Sequence, residues 1–317
     1  MKSRSLLPRA AAAAILAPLA VDAAVLYEQD FDLDDTANWT VNTPGLSDVT
    51  VDFHYDYSAI GVPAAPGSAT TTGLKMTANN SGGVFSGFSV SPTGQSFSGD
   101  YLIRFSLWSN YVGPLGPGGS GSTQLSIAGF GTAGTSAQWA GAAAGVDSVF
   151  FAATLDGGSA SDFRAYSTAS PTSYPSGNAV YAGPSTNGSD PYYSVFGSTS
   201  APAAQTLLFP GQTGVTDAGE TAFAWRAVEI LVEGGFATWS IDGLDMATLD
   251  LSTVTLGGSN ILFGHSDTNA GASADPNDVL LNVTLIDNVR VTDLVPEPST
   301  ALLALAGLAV LSRRRRA

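Results

Sequence analysis

Cysteine is absent from this chain, which excludes disulfides, thiolate metal sites and cysteine nucleophiles together. Stability must come from an apolar core, with bound calcium as an available supplement. Charge is also scarce, at 12% of residues, and basic charge scarcest of all. Of twelve Lys and Arg, seven sit near the ends as Lys2, Arg4, Arg9 and Arg313 to Arg316. Between Ala24 and Pro296 only Lys75, Arg104, Arg164, Arg226 and Arg290 face 25 acidic residues, a net charge of −20. Such a surface repels phosphate backbones, which excludes nucleic acid as a natural partner and suits divalent cations. The two histidines, His54 and His265, are isolated in sequence and read as ordinary strand or turn residues. There is no Gly-x-Ser-x-Gly elbow and no phosphate loop. Nor is there an internal repeat, which disfavours propellers and solenoids.

What is present is a 317-residue chain with 44% hydrophobic content, enough for a real core, and an abundance of Gly, Ser, Thr and Ala. That composition fits strands joined by polar loops better than helices laced with Glu and Lys. Period-two segments recur from Ala24 to Leu294, without a convincing amphipathic helix. In 49–55, Val49, Val51, Phe53 and Tyr55 alternate with Thr50, Asp52 and His54. In 101–108 both faces carry apolar residues, as inside a sandwich. Further strands are expected at 25–31, 74–78, 84–90, 123–128, 149–155, 261–264 and 279–291. Residues 227–233 and 236–241 flank Gly234-Gly235, a connection suited to the positive φ angles of a hairpin. The expectation is an all-β, antiparallel two-sheet sandwich.

Two tracts interrupt the pattern, Gly113 to Gly121 and Ser167 to Gly219, both rich in Gly, Pro, Ser and Thr. Tracts this long within a domain are functional surface loops or mobile segments. Tyr174, Tyr181, Tyr192 and Tyr193 lie in the second. They could stack on sugar rings, or anchor the loop to the sandwich.

The ends carry sorting information. Lys2, Arg4 and Arg9 precede the apolar run Ala10 to Val21, and Val21-Asp22-Ala23 puts small residues at −3 and −1, so a signal peptide of residues 1–23 is cut after Ala23. At the other end come Val295-Pro296-Glu297-Pro298-Ser299-Thr300, an apolar stretch to Leu311, and Arg313-Arg314-Arg315-Arg316. That order is a stop-transfer signal. Its thirteen residues from Ser299 to Leu311 make about 20 Å of helix against about 30 Å of hydrocarbon, a short transmembrane anchor. The tail, residues 295–317, resembles the PEP-CTERM sorting signal. The resemblance implies processing by an exosortase-type enzyme in a bacterium that makes exopolysaccharide, and delivery to the cell envelope, cell surface or extracellular matrix.

Within the 24–294 body, Phe31-Asp32 with Trp39, Trp239-Ser240-Ile241-Asp242-Gly243, and 285–291 (Leu-Ile-Asp-Asn-Val-Arg-Val) resemble concanavalin-A-like jelly-roll domains. The resemblance implies that the first and last strands lie side by side. Asp30, Asp32, Asp34 and Asp35 crowd the end of the first strand, and such pairing would bring Asp287 near them. Asp30, Asp32 and Asp287 are then candidate ligands for a structural calcium, a cation that takes six to eight oxygens. Laminarinase-like hydrolases share the jelly roll and carry Glu-x-Asp-x-x-Glu or Glu-x-Asp-x-Glu on one strand. Here Glu229 and Glu233 share a strand face, but Leu231 stands where the central aspartate would be. An ideal strand also sets residues four apart about 13 Å from each other, against the roughly 5 Å that retaining hydrolysis needs. The expected function is an exported polysaccharide- or partner-binding module without catalysis. The alternative is a glycoside hydrolase using Glu229 and Glu233.

Overall fold

Antiparallel strands make up the body on both sides of the long tract between Tyr166 and Trp225. A computed structural model describes residues 23–45, 48–80, 86–113, 124–141, 145–156, 158–268 and 277–294. The expected 295–317 tail, nearly all of the signal segment and most of the first Gly-rich tract lie outside these residues. Residues Val25–Leu294 make one compact unit.

Fourteen strands form among the described residues. The chain opens with β1 (Val25–Gln29), β2 (Trp39–Asn42), β3 (Val49–Asp56), β4 (Thr72–Ala78) and β5 (Ser86–Pro92). It continues with β6 (Tyr101–Asn110), β7 (Gln124–Thr132), β8 (Val149–Thr154) and β9 (Phe163–Tyr166). After the long tract come β10 (Trp225–Glu233), β11 (Phe236–Ile241), β12 (Leu244–Asp250), β13 (Asn260–Asp267) and β14 (Val283–Asp293). Two short helices, α1 (Ala203–Leu208) and α2 (Asp278–Leu281), complete the set.

Sheet A runs β12-β11-β10-β6-β14-β4-β3, with β1 added beside β14, and sheet B runs β2-β5-β13-β7-β8-β9. All pairings are antiparallel. The first and last strands do lie side by side, with Glu28 opposite Arg290. β14 changes neighbour along its length: Thr284 to Ile286 pair with β4, and Val289 to Thr292 pair with β1. The switch falls at an irregularity after Asp287, where Asn288 has φ 53°, a left-handed conformation that Asn tolerates better than most residues. Gly234 and Gly235 turn β10 into β11 at φ 58° and 84°, and Asp242 and Gly243 turn β11 into β12 at φ 49° and 79°. Paired positive φ values match the twist of a two-residue hairpin.

Three strands, β2, β9 and β12, are not apparent from the alternation. The first two are four residues long, too short for a period to emerge. A bulge opposite Trp239 and Ser240 breaks the register that β12 would otherwise follow. The expected strand from Val279 instead begins at Val283, after the single turn of α2.

Between the sheets Phe53, Met76, Ile103, Phe105, Val228, Ile230 and Ile286 of sheet A face Phe88, Val90, Phe130, Phe151, Ile261 and Phe263 of sheet B. Phe105 meets Phe263 edge to face at 5.0 Å, and Phe151 stacks on Trp239 at 5.2 Å. Each fully buried side chain of this size contributes roughly 1.5–3 kcal/mol before entropy is counted. At one end of this interface the core turns polar. Ser109, Ser126, Thr284, His265 and Gln124 form one hydrogen-bonded chain with links of 3.0, 2.7, 2.8 and 2.7 Å.

Candidate functional site

Among the described residues, the part of sheet A's outer face around β10 and the exposed Arg104 and Arg290 is open to solvent. Along β10, Ala227 and Glu233 are exposed and Glu229 and Leu231 half-buried, while Arg226, Val228, Ile230 and Val232 point inward. One end of the face is covered by the segment after β3, which packs Tyr57 and Ile60 near Trp108, Leu285 and the half-buried Trp225. Trp225 donates its indole N–H to the Pro63 carbonyl at 2.7 Å and lies 5.7 Å from Trp108. On the uncovered part a row of facing residues crosses five strands: Glu28, Arg290, Arg104, Glu229 and Ser240. Arg104 Nε donates to Glu229 Oε1 at 2.6 Å, and both side chains remain in contact with solvent at 56% and 38% exposure. Glu229, one of the two carboxylates of the hydrolase alternative, is thus held by an arginine at the open surface. Glu233 lies four residues along the same face, beside the hairpin turn.

Sheet B offers no comparable surface. Every residue of β5, β7, β8 and β13 is buried, and Ala137, Trp139, Ala140 and Val146 lie over its outer face. Trp139 and Ala140 pack there on Leu125, Ile127, Phe150, Ala152 and Leu262. The sheet admits this segment where it is bare, since a Cβ at Gly87 would overlap the Trp139 ring. Gln138 fastens it: its backbone N–H donates to Ser89 Oγ at 3.0 Å, and its side-chain carbonyl accepts from the Asp147 amide and the Ser148 hydroxyl.

The four tyrosines of the long tract are anchors. Tyr181 and Tyr193 are buried, and their hydroxyls donate to the carbonyls of Tyr174 and Ser185 at 2.9 and 2.8 Å. Tyr192 donates to the Asp245 carbonyl at 2.7 Å, and the Tyr174 hydroxyl meets Ser167 at 2.9 Å. With their polar ends satisfied by the protein, these rings fix the loop against the sandwich.

Of the acidic residues at the end of β1, Asp30 accepts the Asp32 amide at 3.0 Å, and Asp32 takes the hydroxyls of Thr70 and Thr72. Asp287 is fully buried. Its carboxylate accepts the Tyr57 hydroxyl at 3.0 Å and the Asn288 amide at 2.6 Å. Burial, reinforced by the charge of Asp32, pushes its pKa up to about 6 against those hydrogen bonds. The fold therefore brings Asp32 and Asp287 within electrostatic reach. Among the described residues, however, no three Asp, Glu or His side chains form a group able to hold a metal ion.

A second acidic group had no signal in the sequence. Asp156, Asp162 and Glu220, 64 residues apart at the extremes, are all buried. Asp162 accepts the Gly188 amide at 2.7 Å and the Thr154 hydroxyl at 3.1 Å. Glu220 lies against Gly188, where a Cβ would overlap its carboxylate. Burial first, then the neighbouring carboxylates, push the Glu220 pKa far above the usual carboxylate range, and burial likewise raises that of Asp162. A proton held between Glu220 and Asp162 stabilises this arrangement at neutral pH. His265 is the reverse case, since complete burial lowers its pKa to about 3 and keeps the ring neutral within its hydrogen-bonded chain.

Residues 294–316 match the PEP-CTERM protein-sorting motif. The chain thus carries a signal for export and sorting to the envelope or surface, which implies processing by an exosortase-type enzyme. Among the described residues no helix is long and apolar enough to cross a membrane. No curated protein matches the chain. Solved structures similar to it include a protein of unknown function with a galectin-like fold from Bacillus subtilis, at 9% identity and TM-score 0.44, covering 85% of this chain and 96% of that one. A β-glucanase of Bacillus licheniformis is similar at 10% identity and TM-score 0.37, covering 85% and 98%. A structure described with the endo-acting O-glycanases of the human gut microbiota is similar at 13% identity and TM-score 0.45, covering 86% and 100%. Likenesses of this size say nothing about activity.

Proposed function

We propose that the exported body is a binding module without hydrolytic activity, presenting the outer face of sheet A to polysaccharide, exopolysaccharide included, or to a partner protein. The observation that carries this reading is the 2.6 Å ion pair of Arg104 with Glu229 on an open face. Retaining hydrolysis needs two carboxyls about 5 Å apart, one of them with a raised pKa. Glu229 is instead held by the Arg104 guanidinium, and Glu233 lies four residues along an extended strand. An open face with mixed charge, a half-buried tryptophan at its rim and aliphatic positions between polar ones suits reversible contact with a polymer. The body is tested on a glycan array and by release of reducing sugar from β-1,3- and β-1,4-linked glucans. Binding without release is expected. Turnover lost in both Glu229→Gln and Glu233→Gln would establish the hydrolase instead.

Delivery has its own test. The apolar segment closed by Arg313 to Arg316 supports transient or stable anchoring in the membrane. Deleting residues 296–317 is expected to move the protein out of the membrane fraction, and retention there at the wild-type level would refute the anchor.

A further inference from the structure

The body has five basic residues, and three of them serve the fold. Lys75 sits 4.2 Å from the Tyr55 ring centroid. Arg164 donates to the Ser161 carbonyl and the Ser159 hydroxyl at 2.8 and 2.9 Å. Arg226 is buried, pairs with Asp242 at 3.0 Å and donates to the Thr221 carbonyl at 3.1 Å. The remaining two, Arg104 and Arg290, face each other directly across β6 and β14 on the open face of sheet A. Both point outward, since their strand neighbours Ile103, Phe105, Val289 and Val291 lie in the core between the sheets. Arg104 uses only its Nε, toward Glu229. Among the described residues Arg290 makes no ion pair, although Glu28 is its register partner on β1.

Like charges directly opposite on a sheet are destabilising. A body of net charge −20 has ample carboxylate to separate two arginines, yet here they are neighbours with donors still free. Guanidinium groups at cross-strand spacing, about 5 Å apart at their Cβ atoms, form a fork that a single carboxylate can bridge with charge-assisted hydrogen bonds. Such an anion would also relieve the repulsion between the two cations. Glu229 and Glu28 on either side of the two arginines confine the positive region to a width of two strands, so the site takes one acidic group at a time and not a densely charged polyanion. Ser106 on β6 and Leu231 on β10, both half-buried, flank it on the same face, a mixture of hydroxyl and aliphatic surface suited to a sugar ring. The field of the surrounding acids is repulsive, and the pair acts through short-range contact.

We infer that Arg104 and Arg290 form an anion-bridging subsite for a carboxylate-bearing polysaccharide, a polymer containing uronic acid, on the outer face of sheet A. This rests on the binding-module reading and names the ligand class for the same face. The full chain in mild detergent is measured against polygalacturonate, a neutral β-1,3-glucan and dextran sulfate. Polygalacturonate is expected to bind more tightly than either other polymer. Arg290→Gln and Arg104→Gln should each weaken it about tenfold, the usual effect of losing one charge-assisted hydrogen bond, and should weaken the neutral glucan by less. Unchanged melting temperatures would show that both variants are folded. Equal binding of polygalacturonate and neutral glucan, or an Arg290→Gln variant that binds polygalacturonate as the parent does, overturns the subsite and leaves the binding module standing. Tighter binding of dextran sulfate overturns the uronate assignment. If no polymer binds at all, both this inference and polysaccharide binding fail.

Discussion

On sheet A, strand β10 alternates inward and outward residues from Trp225 to Glu233, whereas on sheet B every residue of β7, β8 and β13 is buried. Both sheets contribute one face to the same core. They differ in what the chain does with the other face. Sheet B receives Trp139 and its neighbours over a bare glycine position, while part of sheet A, around Arg104, Arg290 and the outward residues of β10, keeps charged and polar groups in water. A polar outer face costs nothing to leave solvated, and an apolar one must be covered. The covered face is therefore a stability element, and the open one is where the molecule can meet something else.

The comparison predicts unequal costs of mutation. Trp139→Ala, which uncovers sheet B, is expected to lose about 3–5 kcal/mol, read from the urea midpoint. Arg104→Ala on sheet A is expected to lose less than about 1 kcal/mol, as for an exposed ion pair. Similar losses for the two would erase the distinction between the faces.

Next in size is the response to pH of the groups that sheet B and its long tract bury. Glu220 has its folded pKa raised above the unfolded value, so its contribution is complete below about pH 4.5 and is lost as pH rises through the folded pKa. Each unit of difference amounts to about 1.4 kcal/mol once both states are ionised. Glu220→Gln should flatten the alkaline limb of the stability profile, which equal alkaline limbs in variant and parent would refute. His265 has a lowered folded pKa, so its contribution is present above about pH 6.5 and is lost as pH falls toward 3. His265→Gln is expected to reduce the steepness of the acid limb, whatever it does to stability at neutral pH, and an unchanged slope would count against this assignment.

A smaller effect is expected from Tyr193→Phe. It removes the hydroxyl that donates to the Ser185 carbonyl, a loss of about 1 kcal/mol. Limited proteolysis should then cut within 167–219 faster than in the parent. Equal cleavage rates would mean that the tract is held by other contacts.

Much of the sandwich was legible from alternation alone. The 49–55, 101–108 and 227–241 segments became β3, β6 and the β10-β11 hairpin, because residue type at each position reports burial directly where one face meets core and the other water. The Gly234-Gly235 turn was legible for a related reason, since positive φ restricts residue choice. In the candidate site, the strand and outward face of Glu229 could be read from sequence, but its arginine partner could not. Arg104 lies 125 positions away, and only the order of strands in sheet A makes them neighbours. Asp287 shows the same division: its approach to Asp32 followed from a resemblance, whereas its burial against Tyr57 came from the segment that folds over the sheet.

By itself the sequence determined that this protein is exported, carries a sorting tail and folds as an antiparallel β body, since signal segments and strand periods are local patterns. Only the tertiary structure decided which sheet face stays open, that the tract tyrosines anchor their loop, and that Asp162 and Glu220 meet in the interior. Each of those outcomes depends on which distant segments pack together, and the alternation within a strand carries no record of what covers it.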